Sequence, residues 1–282
     1  MHPNYKIIAD SCCDYTDDCG GLDWLERIPL TIELDGQQMI DDDTLDCRLL
    51  AEKMQQSKNA PRSACPSPAQ FAAACDCDAV DVYIVALSDK QSGTYGSAVV
   101  GAEMARSNGR GQNIHVFNSN SATSGEVAVC MKLHTLAEQG KRFAEIVREV
   151  QAFIDEMTTI FVLENLEVLR KAGRLSHLQA LAAGALRIKL VMGSQDGNIM
   201  VLSKALTAGR AISSMVEHIK QKCAEINPAE KLLFISHCNC LERAIEIRDR
   251  VLQECGFAGC AICRTSGVST IYANVNGVVV AF

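Results

Sequence analysis

The sequence has few aromatic residues, 5% of its 282 positions, and no basic run. It also lacks an apolar run of the roughly 18 residues that a membrane-spanning helix needs. Its formal net charge is −7, and this excludes a nucleic-acid partner, because binding phosphates requires a concentrated positive surface. The first residues do not resemble a signal peptide, so we expect a cytoplasmic protein.

Cysteine is abundant, with 14 residues, but a chain of this length does not need disulfides and we expect reduced thiols. Cysteine-rich motifs at 75–77 (CDC), 237–240 (HCNC) and 260–263 (CAIC) raise the alternative of a zinc site. Cys260 and Cys263 lie in a predicted strand, where residues three apart point to opposite faces and chelate poorly. We therefore predict no metal site.

The order of the predicted elements indicates an α/β fold. Strand-like runs occur at 6–10, 28–34, 81–87, 113–117 and 231–236, and helix-length segments at 97–107, 126–139, 143–157, 209–226 and 241–254. Asp196-Gly197 predicts a hairpin, and the final NGVVVAF predicts a strand. We predict two domains: residues 1–157, with a mostly parallel sheet flanked by helices, and residues 158–282, with a mixed or antiparallel sheet and helices.

Two candidate binding segments follow early predicted strands, and ligands of open α/β sheets bind where the strands end. Asp10 and Ser11 come directly after the first strand, and capping of the next turn is the alternative role for Asp10. Ser63 lies in RSACPSPAQF, a loop stiffened by prolines before a helix that opens near Pro68. Each signal is weak alone, because such residues are ordinary in turns.

The stretch SDKQSGTYGSA, residues 88–98, follows a strand and precedes a helix that begins near Tyr95. Gly93 permits a tight turn and a close approach of a ligand. Backbone N–H groups, the helix dipole and the hydroxyls of Ser92 and Thr94 would attract an anion there. The stretch is therefore either a cradle for a carboxylate or phosphate, or a plain helix N-cap.

Arg174, in KAGRLSH, follows a helix that ends near Lys171. It would recognise an anion or a partner protein, or else only complement the helix C-terminus. A Ser–His acyl hydrolase with His237 as the base is an alternative function, but the sequence has no G-x-S-x-G elbow. It also has no G-x-x-x-x-G-K-S phosphate loop, so we expect it to bind its ligand without phosphorylating it, as a binding protein and not an enzyme.

Several motifs together resemble the DegV family of bacterial fatty-acid-binding proteins, in matching order along essentially the whole chain. ADSCCDY resembles the family's N-terminal Asp-Ser motif, and RSACPSPAQF resembles its Thr-Ser-x-Pro-Ser loop. SDKQSGTYGSA resembles its Ser-Gly-Thr-Tyr stretch, and LEVLRKAGRLS resembles its Gly-Gly-Arg segment. The resemblance implies that one fatty acid, such as palmitate or stearate, lies between the two domains without any other cofactor. Its carboxylate is expected near the Ser-Gly-Thr turn and its tail in the second domain.

The resemblance also implies which residues bind the fatty acid and which partners the protein has. Family members act as acyl carriers that present the carboxylate to a fatty acid kinase, with transient membrane contact for lipid exchange; a lipid-sensing regulator without a kinase is the alternative. The residues that match ligand-binding positions are Ser63, Ser92, Gly93 and Thr94, with Asp10 and Ser11 shaping the pocket floor and Tyr272 in place of a histidine.

The sequence departs from the family pattern at four positions. Tyr272 replaces the histidine and cannot be a cation at neutral pH. Leu206 stands where arginine is frequent, Ala172 replaces the first glycine of Gly-Gly-Arg, and Asn118 replaces an aspartate. We expect acyl binding to persist even if kinase coupling is lost.

Overall fold

The structure, a computed structural model, describes residues 4–14, 24–109, 111–175 and 188–282. Helices and strands alternate in a parallel sheet in the N-terminal part and a mixed sheet in the C-terminal part, which confirms the predicted fold class. None of the described helices is long and apolar enough to cross a membrane. Three motif residues, Tyr15, Ser176 and His177, lie outside the described residues.

The strands of the described residues are β1 (Tyr5–Asp10), β2 (Leu25–Ile28), β3 (Thr31–Leu34), β4 (Gln37–Ile40), β5 (Arg62–Ala64), β6 (Asp81–Ala86), β7 (Asn113–Asn118), β8 (Thr159–Val162), β9 (Lys189–Gln195), β10 (Asn198–Ala205), β11 (Leu232–His237), β12 (Gly259–Arg264) and β13 (Val278–Ala281). The helices are α1 (Cys47–Gln56), α2 (Pro68–Ala74), α3 (Thr94–Ser107), α4 (Ser124–Glu138), α5 (Phe143–Glu156), α6 (Glu167–Lys171), α7 (Ala208–Cys223), α8 (Leu241–Cys255) and α9 (Gly267–Ala273), with a 3₁₀ turn at Pro228–Glu230.

The N-terminal sheet is parallel, in the order β2-β1-β6-β7. Helices α2 and α3 cover one face, where Ile8 and Ile84 point, and helices α4 and α5 cover the other, where Ile7 and Tyr83 point. The alternation follows from the two-residue period of a strand. Because all four strands run the same way, their C-terminal ends meet at one edge of the sheet.

The C-terminal sheet is mixed, in the order β10-β9-β8-β13-β11-β12, and only β11 and β12 are parallel. Helices α7 and α8 cover one of its faces. Helix α4 packs against β1 on one side and against β11 and β13 on the other, and the Ser124 hydroxyl donates to the Val279 carbonyl at 3.2 Å. The chain passes from one sheet to the other between α5 and β8; a domain boundary near residue 157 stays a prediction.

One predicted strand, residues 28–34, is wrong as a single element. The structure breaks it at Pro29 and Leu30 into β2 of the parallel sheet and β3 of a separate antiparallel sheet, ordered β4-β3-β5. Proline has no N–H to donate and a fixed φ, so the strand cannot continue in one ladder. Ser63 lies in strand β5 of this antiparallel sheet, where it pairs with Ile32, and not in the loop that the prolines suggested.

The hairpin predicted at Asp196-Gly197 is confirmed, with φ of 49° and 78° at the two residues. Its tip contacts the loop after β6 in the N-terminal sheet. The Gly197 carbonyl accepts from the Ser88 hydroxyl at 3.1 Å and from Nε2 of Gln91 at 3.3 Å. The C-terminal hairpin thereby contacts the segment that carries Ser92.

We expect Gly197→Ala to lower the free energy of unfolding by about 2–3 kcal/mol. The positive φ costs an alanine about 1 kcal/mol, and the added Cβ would lie 2.4 Å from Ser88 Oγ, a clash that costs further. Gly36→Ala is the matched control, because Gly36 has the same φ of 78° and no atom within 4 Å of its built Cβ. Urea unfolding of both variants measures the difference, and equal losses of stability would contradict the packing of Gly197 against Ser88.

Candidate functional site

A cavity lies between the C-terminal edge of the parallel sheet, helix α9 and one face of the C-terminal sheet. Residues from both halves of the chain line it: Cys12, Leu30, Ser63, Leu87, Gln91, Ser92, Ser121, Ala122, Thr123, Thr159, Phe161, Leu163, Leu169, Arg174, Ser194, Ile199, Val268, Ser269, Tyr272, Ala273 and Val279. The site is therefore where open α/β sheets bind their ligands.

One wall of the cavity is apolar because the strands of the C-terminal sheet have two buried faces. In β8, Ile160 and Val162 point to helices α7 and α8, whereas Phe161 points to the cavity. Leu163 and Val279 lie on the cavity side as well, in one cluster with Phe161. Such a wall suits a hydrocarbon chain and offers it no hydrogen bonds.

Hydroxyl groups gather at the part of the cavity where β5, the loop before α3 and helix α9 meet. Ser63 Oγ lies 3.0 Å from the Tyr272 hydroxyl, although the two residues are 209 positions apart. Ser92 Oγ lies 2.8 Å from Thr94 Oγ1. Three predicted residues, Ser63, Ser92 and Tyr272, thus line one cavity and present donors that would bind a carboxylate.

Arg174 carries the positive charge of the described cavity lining. Its Nε donates to the Gln91 carbonyl at 3.0 Å and its Nη1 to the Ala172 carbonyl at 2.8 Å. Its Cζ lies 5.7 Å from the centre of the Tyr272 ring, within range of a cation–π contact. Arg174 is therefore part of the cavity wall beside Tyr272, and a role in contacting a partner protein stays a prediction.

Gly93 and Thr94 do not themselves line the cavity. Gly93 is the N-cap of α3, with φ −75° and ψ 0°, and an added Cβ would be 3.6 Å from Cys65 Sγ, an ordinary contact. Residues other than glycine also adopt this backbone conformation, and a direct contact of Gly93 with a ligand stays a prediction. Thr94 is fully buried, and its backbone N–H donates to Ser92 Oγ at 3.2 Å, which holds the Ser92 hydroxyl in place.

Asp10 and Ser11 lie behind the cavity wall, next to Cys12, and do not line the cavity. The Asp10 carboxylate accepts from the backbone N–H of Cys12 at 2.9 Å and of Leu87 at 2.8 Å. Ser11 Oγ accepts from the Leu30 N–H at 3.0 Å. These bonds tie the loops after β1, β2 and β6 together, which supports the turn-capping interpretation of Asp10.

Asp41 is a buried residue at this site that the sequence analysis missed. Its carboxylate accepts from the N–H groups of Gly267 at 2.6 Å and Val268 at 2.9 Å, and from Ser11 Oγ at 2.8 Å. It therefore fixes the start of helix α9, which carries Tyr272. Asp41 stands in a run of three aspartates, and nothing local distinguishes it from Asp42.

Burial perturbs the carboxyl groups behind the cavity. It raises the pKa of Asp10 to about 7, with hydrogen bonds from Leu87 and Cys12 opposing the shift and the charge of Asp41 adding to it. Burial, together with the charge of Asp10, also raises the pKa of Glu126 well above its usual range. Both carboxyl groups are therefore shifted toward their neutral, protonated forms.

The hydrolase and cysteine-zinc alternatives find no support in the geometry. Within the described residues Ser92 bonds to Thr94 and to no histidine, and His237 Nδ1 instead accepts from the Cys240 N–H at 3.2 Å. Cys260 and Cys263 pack into clusters on opposite faces of the C-terminal sheet, as expected for residues three apart in a strand. The thirteen described cysteines form no disulfides with one another.

Comparisons with known proteins point to one family. A family model described as "Uncharacterised protein, DegV family" matches residues 4–282. A DegV domain-containing protein of Streptococcus gordonii is 30% identical over 99% of this chain and 98% of its own.

Two solved structures are similar along their whole length. One is a DegV family protein of Ruminococcus gnavus with vaccenic acid, at 37% identity and a TM-score of 0.93, covering 99% of this chain and 100% of that one. The other is the fatty acid kinase (Fak) B3 protein of Streptococcus pneumoniae loaded with linoleic acid, at 28% identity and a TM-score of 0.87, covering 99% and 98%.

Proposed function

The chain belongs to the DegV family, and from this premise we propose that it binds one long-chain fatty acid in the cavity between its two sheets. The carboxylate bonds to the hydroxyls of Ser63, Ser92 and Tyr272 near Arg174, and the tail lies along Phe161 and its apolar neighbours. The observation that carries the proposal is the meeting of these hydroxyls, from distant parts of the sequence, in a cavity that also has an apolar wall.

The two ends of the cavity have different energetic roles. Each methylene transferred from water to the apolar wall contributes about 0.8 kcal/mol before ordering costs, so the tail supplies most of the affinity. A hydrogen bond to a charged carboxylate contributes about 1.5–3 kcal/mol, and a buried carboxylate without partners is strongly disfavoured. The polar end of the cavity therefore determines the orientation of the bound acid.

The polar end is also accessible from outside, as presentation to a kinase requires. Ser63, Arg174 and Tyr272 line a second groove at the surface, together with the exposed residues Arg62 and Lys171. We propose that a separate fatty acid kinase approaches here and transfers a phosphoryl group from ATP to the carboxylate, which yields an acyl phosphate and ADP. Tyr272 in place of the family histidine keeps the hydroxyl but supplies no cationic imidazole.

We expect the protein to retain a long-chain acid through purification, and the Ser63→Ala/Ser92→Ala double variant to bind it about tenfold or more weakly, because two hydroxyl contacts are lost. Mass spectrometry of the solvent extract identifies the acid, and titration of the delipidated proteins measures affinity. Ser107→Ala, whose hydroxyl only bonds the Glu103 carbonyl of its own helix, is the control. A lipid-free protein that also fails to take up labelled palmitate would contradict the proposal.

A further inference from the structure

Three side chains that can bind metal ions converge behind the cavity wall. Asp10 ends β1, Cys12 lies two residues further, and Glu126 lies in the first turn of α4. One oxygen of each carboxylate and the Cys12 sulfur all lie within 4.8 Å of one another. Asp10 and Glu126 are completely buried and Cys12 is 5% exposed, so bulk water does not solvate the group.

Glu126 is buried without a hydrogen bond of normal geometry among the described residues, and the Cys12 thiol is the polar side chain that lies close enough to lower its pKa. Neither carboxylate oxygen accepts a hydrogen bond within the described residues, and the charged side chains that act on it include Asp10 and Asp14, which are acids. Thr123, three residues earlier and 7% exposed, also has a hydroxyl without a described partner. A buried ionised carboxylate without a partner costs several kcal/mol, so Glu126 either holds a proton or binds a further group that takes the place of the proton.

The other two side chains are held in place. The Asp10 carboxylate accepts the N–H groups of Cys12 and Leu87, at 2.9 and 2.8 Å, and this fixes its orientation while leaving lone pairs on both oxygens. Outer hydrogen bonds of this kind orient the carboxylates that ligate metals. Asp10 and Cys12 belong to one tight turn, and Glu126 approaches from helix α4.

The types of the three atoms favour one class of ion. Magnesium and calcium take oxygen ligands, whereas zinc accepts cysteine sulfur together with carboxylate oxygen. Three protein ligands are enough for zinc when a fourth position is left to another molecule, and Cys12 also lines the cavity. We propose that Asp10, Cys12 and Glu126 form a site for a single zinc ion between β1 and α4.

The test measures zinc and cobalt binding to the full chain. We expect elemental analysis after gel filtration to find one tightly bound zinc per chain. Competition with a chromophoric chelator measures the zinc affinity, which we expect to fall at least about tenfold in Glu126→Gln and in Cys12→Ser. Loss of a hydrogen bond to a metal ligand already lowers metal affinity about tenfold, so loss of a ligand lowers it at least as much. Cobalt in the wild-type protein is expected to show a near-ultraviolet thiolate charge-transfer band that Cys12→Ser abolishes.

Cys65→Ser is the control for adventitious binding, because Cys65 is an exposed thiol outside the group, and it is expected to leave both readouts unchanged. Circular dichroism establishes that each variant is folded. Wild-type protein that binds no stoichiometric zinc or cobalt, or that binds cobalt without the thiolate band, overturns the proposal without any variant. Fatty-acid uptake is measured separately, so a failure of the zinc site is distinguishable from a failure of lipid binding.

Discussion

Replacing Asp41 with alanine is expected to lower the free energy of unfolding by about 3–5 kcal/mol. The substitution removes the acceptor for three buried donors, the N–H groups of Gly267 and Val268 and the Ser11 hydroxyl. Each buried donor without a partner costs about 1–3 kcal/mol, with some relief from local rearrangement. Helix α9 also loses its anchor, so we expect the affinity for fatty acid to fall along with stability, because Tyr272 moves with that helix.

Asp42→Ala is the matched control for this prediction. Asp42 is exposed, and its carboxylate accepts from the N–H and hydroxyl of Thr44, at 2.9 and 2.6 Å. Hydrogen bonds in a solvated turn of this kind contribute about 1 kcal/mol or less to the free energy of unfolding. Urea unfolding followed by far-ultraviolet circular dichroism compares the two variants, and equal stability losses would show that Asp41 does not anchor α9.

Shortening the acid from hexadecanoic to decanoic is expected to weaken binding by about 100-fold or more. The change removes six methylene groups at about 0.8 kcal/mol each, roughly 5 kcal/mol gross. A shorter tail also loses less freedom on binding, which offsets part of this, and a net loss of about 3 kcal/mol corresponds to the stated factor. The effect follows directly from the apolar wall formed by Phe161, Leu163 and Val279.

Titration of delipidated protein with acids of graded length, below their aggregation concentrations, measures this dependence. The Ser63→Ala/Ser92→Ala variant is the control, because it changes the polar end and leaves the apolar wall intact. We expect it to weaken the binding of every acid by the same factor and to leave the dependence on length unchanged. An affinity that does not depend on chain length would place the tail outside the cavity.

Much of the fold could be predicted because long elements carry a repeated pattern. The helices at 208–223 and 241–255 and the strands β1, β6, β7 and β11 lie within a few residues of their predicted positions. The small sheet formed by β3, β4 and β5 was missed, because strands of three or four residues have too short a pattern to recognise. The break at Pro29 was missed for a related reason, since the apolar residues continue on both sides of it.

The site was predictable only as a set of hydroxyl-bearing motifs. Ser63 and Ser92 stand in motifs beside predicted strands, Tyr272 came only from the resemblance to a family, and the structure brings all three to one cavity. Asp41 and Glu126 were not found, because a carboxylate in a run of aspartates or on a helix has no local sign of what it will contact.

The sequence by itself determined the α/β class, most of the strands and helices, and the family, because these depend on local periodicity and on the order of motifs along the chain. Only the tertiary structure decided how each polar group is used. Asp10 accepts two backbone N–H groups, Asp41 anchors a helix 226 positions away, and Glu126 has no hydrogen bond of normal geometry among the described residues. The reason is physical: the energy of a buried polar atom depends on the partners that folding brings within hydrogen-bond distance, and these come from distant parts of the chain.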